Sequence, residues 1–85
     1  MFYMYILQST LDQELYIGST NNLRRRFAEH NAGESFSTRL RRPFSIVYYE
    51  AYISEKDARQ REHNLKLRGR ARRQLMLRIK DSLAS

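Results

Sequence analysis

Glu62 is a carboxylate in a place where carboxylates are costly. Ser54-Glu55-Lys56-Asp57 carries the Ser-x-x-Asp pattern of a helix capping box. The helix it opens, to about Arg68, puts Ala58, Glu62 and Leu65 at i, i+4 and i+7 on one stripe. An acidic group inside an apolar stripe needs a partner or a metal, whereas Glu55 has no such position. A second helix, from Leu23 to His30, shows the same anomaly with the opposite sign. With Leu23 as reference and about 100° per residue, Phe27 lies about 40° to one side, His30 about 20° to the other and Arg26 about 60° away. An imidazole and a guanidinium thus share the buried side, while Arg24, Arg25 and Glu29 point elsewhere. A surface ion pair would account for Arg26, and a salt bridge from such a core-edge arginine would account for Glu62.

Two tyrosines complete the set. Phe2 to Gln8 and Leu15 to Gly18 are rich in aromatic and β-branched residues, with a polar stretch between them, and read as a hairpin. A four-residue loop, Ser9 to Asp12, pairs Gln8 with Gln13 and sets Tyr5 directly opposite Tyr16 on one face. A loop one residue longer or shorter would separate them onto opposite faces. Two strand tyrosines packed on a helix would look the same in the sequence.

The elements that position these groups follow in order. Ser19 to Asn22 offers N-caps for the first helix, and Gly33 a C-cap. Glu34 to Pro43 reads as a loop carrying Arg39, Arg41 and Arg42. Phe44 to Tyr52 is a third strand, apolar on both parities and expected to be well covered. After Gly69 a last amphipathic helix is expected, with Ala71, Leu75, Ile79 and Leu83 on one face. Arg70, Arg72 and Arg73 load its first turn, where cations oppose the helix dipole and a phosphate partner would compensate.

Eighty-five residues without cysteine suggest one domain held by packing alone, with no room for a large internal ligand cavity. A shallow groove suits a polymer better than a buried cofactor. Sixteen basic against nine acidic residues give a net charge of +7, which favours an anionic partner. The bias is towards arginine, with lysine only at Lys56, Lys66 and Lys80, and arginine forks match phosphate oxygens. With two histidines and no thiolate, a structural zinc site is not expected. The apolar N-terminus lacks a basic lead-in and reads as a strand, not a signal peptide, and no stretch is long enough to span a membrane, so the expected location is the cytoplasm, with the nucleoid.

The order and spacing of these features resemble the GIY-YIG nuclease superfamily, in its small stand-alone bacterial form. Tyr3-Met4-Tyr5 and Tyr16-Ile17-Gly18 correspond to the two name-giving motifs, Arg26 and His30 to the helix positions, and Glu62 to the glutamate. The likeness also covers Thr38-Arg39-Leu40-Arg41-Arg42-Pro43 and Tyr48-Tyr49-Glu50. It implies an α/β fold of α+β type, a three-stranded antiparallel sheet flanked by about three helices in the order β-β-α-β-α-α. It further implies a metal-dependent endonuclease cutting DNA, of use in repair or recombination, with low sequence specificity. By resemblance, Glu62 would hold a single Mg²⁺ or Mn²⁺ and Arg26 would stabilise charge on the phosphate. Tyr5, or Tyr16 beside it, would relay a proton from water with help from His30. A tyrosine ionises near about pH 10, so this role needs Arg26 or the metal to favour its anion. Arg24, Arg25, Arg39, Arg41, Arg42, Lys66, Arg70, Arg72 and Arg73 are the candidate DNA phosphate contacts.

The chain departs from the pattern at Tyr3, which stands where the motif's name has glycine. It departs again at Leu67-Arg68-Gly69, which lacks the tryptophan expected in close relatives. A non-catalytic nucleic-acid-binding module of the same fold is the main alternative. An interaction protein, recruited to or by another protein, is a third.

Overall fold

The three expected strands form as β1 (Phe2–Ser9), β2 (Leu15–Thr20) and β3 (Phe44–Tyr52) in a computed structural model that describes residues 1–84. They pair antiparallel in the order β2-β1-β3. The helices are α1 (Leu23–Asn31), α2 (Glu55–Leu67), α3 (Gly69–Arg78) and a short α4 (Lys80–Ala84), with a 3-10 turn at Arg39–Arg41. This is the β-β-α-β-α-α order with a final turn added. The one helix expected after Gly69 breaks at Ile79, whose backbone leaves the helical region (φ −109°, ψ 22°). The break still delivers Leu75 and Ile79 to one core, with Leu83 against it.

Because β1 is central, both of its faces are covered. Met4 and Ile6 join Ile17, Leu65, Leu75 and Ile79 on the side of α2 and α3. Tyr5 and Leu7 join Phe44, with Leu23, Phe27 and Tyr16 packed around them, on the side of α1. By contrast β3 is an edge strand, and the expectation that it would be well covered fails: Ser45, Tyr49 and Ala51 are exposed. Its apolar parity reflects a sheet face that α1 covers only in part.

The hairpin corrects the expected register. Ser9 closes it, its N–H donating to the Glu14 carbonyl and its carbonyl accepting from Gln13, so the loop is Thr10 to Gln13. The Ser9 hydroxyl accepts from the N–H groups of Leu11 and Asp12, and Gln13 takes a positive φ of 65°. The loop keeps its expected length but begins one residue later. That moves the pairing by two, so Tyr5 faces Gly18 and Tyr16 faces Leu7. A shift of two preserves parity, and the tyrosines still share a face as diagonal neighbours.

Helix ends follow the sequence closely. Asn22 caps α1 by accepting from the Arg25 N–H at 3.0 Å, and Ser54 caps α2 by accepting from Asp57. Gly33, at φ +79°, stands one residue beyond the Ala32 cap, and Glu34 N–H reaches back to the Glu29 carbonyl, a left-handed exit that favours glycine.

Candidate active site

Gly18 makes the site possible. It does not close β2, which continues to Thr20; it clears space. A Cβ there would lie 2.5 Å from the Tyr5 hydroxyl oxygen, so only glycine lets the Tyr5 ring cross β2. The hydroxyl then meets His30 Nε2 at 2.9 Å, and His30 Nδ1 meets the Thr38 hydroxyl at 2.8 Å. All three residues are buried. The imidazole is boxed by Tyr16 at 5.0 Å, Tyr5 at 5.9 Å and Phe44 at 6.2 Å between ring centroids.

This environment fixes protonation. Burial, then the nearby Arg26 cation, pushes His30 down to about 4, so the ring is neutral at pH 7. Burial, then the neighbouring Tyr16, pushes Tyr5 up to about 12, although the hydrogen-bonding Arg26 guanidinium pulls the other way. Arg26 therefore does favour the tyrosinate, as the sequence reading required, but burial outweighs it. A neutral imidazole donates from one nitrogen and accepts at the other, so either Tyr5 O–H donates to Nε2 while Nδ1–H donates to Thr38, or both directions are reversed, and the Arg26 cation beside the Tyr5 oxygen favours the first.

Arg26 is held from its other side. It meets the Glu29 carboxylate at 3.0 Å and the Ser35 hydroxyl at 3.5 Å. Glu29 thus does not point away from Arg26 as the helical projection expected, because an i,i+3 pair spans the side of α1.

Glu62 lies between the buried Ala58 and Leu65, as its stripe position required, with its side chain 20 % exposed. Its partner is not Arg26. The Ser19 hydroxyl donates to one carboxylate oxygen at 2.7 Å and the Lys66 ammonium to the other at 2.6 Å. Lys66 also sits 5.9 Å from the Tyr16 ring centre. Tyr5 feels the charges of both Arg26 and Glu62. The edge strand β2 is where groups from both sheet faces converge.

Thr38 and Ser19 escaped the sequence reading. Thr38 lies in a loop with no periodicity to expose it. Ser19 was legible in principle, since continuing the β2 alternation beyond Gly18 puts it on the α2 face with Ile17.

Of the candidate phosphate contacts, Arg24, Arg25, Arg39, Arg42, Arg70 and Arg73 are exposed, Arg25 being paired with Glu29 at 3.6 Å and donating to the Asn21 side chain at 3.0 Å. Three others have work inside the fold. Lys66 is paired with Glu62, Arg41 with Asp12 at 3.3 Å, and Arg72 donates to the Leu65 and Lys66 carbonyls at the end of α2. Among the described residues no group of three or more histidine, cysteine or acidic side chains could cage a metal ion. No helix among them is long and apolar enough to cross a membrane.

The family model of the GIY-YIG catalytic domain matches residues 1–75, which include all five convergent side chains. The chain belongs to the GIY-YIG family. GIY-YIG nucleases act on DNA, generally with divalent metals. Among its relatives, a UPF0213 protein of Natronomonas pharaonis is 43% identical over 76 residues, covering 88% of each chain. A UPF0213 protein of Lactiplantibacillus plantarum is 40% identical over 73 residues, covering 82% of this chain and 71% of that one. The solution NMR structure of a UPF0213 protein from Bacillus halodurans, 31% identical, aligns over 93% of this chain and 87% of that chain with a TM-score of 0.56.

Proposed function

We propose that this GIY-YIG domain is a divalent-metal-dependent endonuclease that hydrolyses DNA phosphodiester bonds with low sequence specificity, in a repair or recombination setting. The observation that carries the reading is the convergence of Tyr5, Tyr16, Arg26, His30 and Glu62 at β2, with a single carboxylate that already pairs with a cation, Lys66.

Glu62 fits one kind of metal. A lone carboxylate suits Mg²⁺ or Mn²⁺, which keep most of their waters, and not an ion that demands a full protein cage. When bound, such an ion would polarise the phosphate and stabilise the leaving oxygen. Ser19 orients Glu62 for that role, and Lys66 holds the same carboxylate until then. Arg26, braced by Glu29 and Ser35, presents its guanidinium to the phosphate oxygens. Tyr5 is protonated at neutral pH, so it serves as a relay and not as a ready phenolate. Its oxygen accepts the proton of the attacking water as its own proton passes to His30 Nε2, a transfer the buried ring resists until an anionic phosphate offsets the Arg26 charge, and Thr38 steadies the ring from Nδ1. Tyr16, half-buried over the imidazole, lines the approach.

The test is a cleavage assay on single-stranded, duplex, flapped and four-way DNA, with Mg²⁺, with Mn²⁺ and with chelator. Metal-dependent cutting of any of these supports the reading, and the panel ranks the substrates. Binding without cutting under every metal overturns it in favour of a non-catalytic module.

A further inference from the structure

The face of the sheet that carries Tyr5 does not end there. Tyr49 is the cross-strand partner of Tyr5, one strand further from β2, and Tyr3 is two residues from Tyr5 on the same face. Tyr3 and Tyr49 meet edge to face at 6.1 Å between centroids and 65° between planes. Tyr49 is 53% exposed, although burial of tyrosine rings is ordinarily favourable. They floor an open groove of about 540 Å³ between α1 and β3, walled by Phe27 and Ile46 and rimmed by Asn21 and Arg24. No acidic side chain lines it.

We propose that this groove holds one or two unpaired bases of a single-stranded DNA segment, stacked on Tyr49 and Tyr3, beside the scissile phosphate. Three features select this occupant. The groove offers aromatic faces, which bind any base, beside an exposed guanidinium for the adjoining phosphate. Its rim of amides and cation complements a polyanion, not an apolar protein segment. Its floor and walls adjoin the Tyr5 cluster, since Tyr3 and Tyr49 neighbour Tyr5 on the sheet face and Leu23 and Phe27 pack against it. A base paired in a duplex is stacked on both faces and cannot occupy it, so the groove favours DNA with an unpaired strand next to the cut. The inference deepens the nuclease reading and rests on it for the location of the cut, but not for the binding.

The experiment compares wild type, Tyr49→Ala, Tyr49→Phe and Arg24→Ala by fluorescence anisotropy. The probes are a fluorescein-labelled oligodeoxythymidylate and a blunt duplex, each titrated across a range of salt. Tyr49 is exposed, so Tyr49→Ala should fold normally, which circular dichroism checks. The expected result is a five- to hundredfold or so loss of single-strand affinity in Tyr49→Ala, with unchanged salt slope and near-unchanged duplex affinity. Tyr49→Phe should keep the affinity, and Arg24→Ala should shallow the single-strand log-log salt slope by about 0.7. Equal affinity of Tyr49→Ala and wild type for the oligothymidylate overturns the inference, as does an equal loss on both probes. If the protein cuts DNA with metal while Tyr49→Ala binds normally, the groove falls and the nuclease stands. If Tyr49 governs single-strand binding but nothing is cut, the groove stands and the nuclease reading falls.

Discussion

His30 shows how burial sets chemistry at a single residue. The ring is sealed among Tyr5, Tyr16 and Phe44, and both nitrogens are hydrogen-bonded, so protonation would cost both desolvation and repulsion from Arg26. Its ionisation at about 4 in the folded protein lies below the ordinary 6.5. The unfolded chain therefore binds the extra proton between those values. Stability should be full above about pH 6.5 and fall as pH drops towards 4, by about 2 to 3 kcal/mol from this residue. Urea unfolding at pH 7 and pH 5 measures the fall, and His30→Gln should flatten it. The phenol beside it gives a functional counterpart. If Tyr5 relays the proton, Tyr5→Phe keeps the ring but loses the relay, so single-turnover cleavage should drop about a hundredfold or more while DNA affinity holds. Equal loss of affinity and rate would instead mark Tyr5 as a binding group.

At the scale of elements, the strands position the site through one missing side chain. Gly18→Ala would drive a methyl group into the Tyr5 hydroxyl and push the ring off His30. We expect a destabilisation of about 1 to 3 kcal/mol in chemical denaturation, together with loss of cleavage. Ser54→Ala, which strips the cap of the helix bearing Glu62, should cost about 1 kcal/mol without abolishing cleavage. The same elements show what a sequence can reveal. Strand and helix identities were legible because alternation and helical periodicity are local, and Glu62 was legible because it interrupts an apolar stripe. Parity put Tyr5 and Tyr16 on one face despite a misplaced loop, since a shift of two residues leaves parity intact. The partners were not legible. Lys66, not Arg26, meets Glu62, and Thr38 meets His30 from a loop, because such contacts depend on how elements pack and no local pattern encodes that.

For the whole molecule, the net charge of +7 is spread over cations in two conditions. Arg39 is exposed, while Arg41 is tied to Asp12 and Arg72 to the carbonyls ending α2. If the free cations grip phosphates, Arg39→Ala should shallow the log-log salt dependence of duplex binding by about 0.9, whereas Arg41→Ala should act chiefly on stability. Parallel salt titrations and melting curves separate the two. Glu62, by the reading proposed above, is the metal-holding carboxylate of a cutting site and not merely a partner for Lys66. Comparing wild type with Glu62→Gln for Mg²⁺-dependent cleavage and DNA affinity in the same preparation separates the two roles. Cleavage should vanish in Glu62→Gln while affinity is kept or rises. Cleavage by Glu62→Gln at the wild-type rate would leave Glu62 as no more than the partner of Lys66.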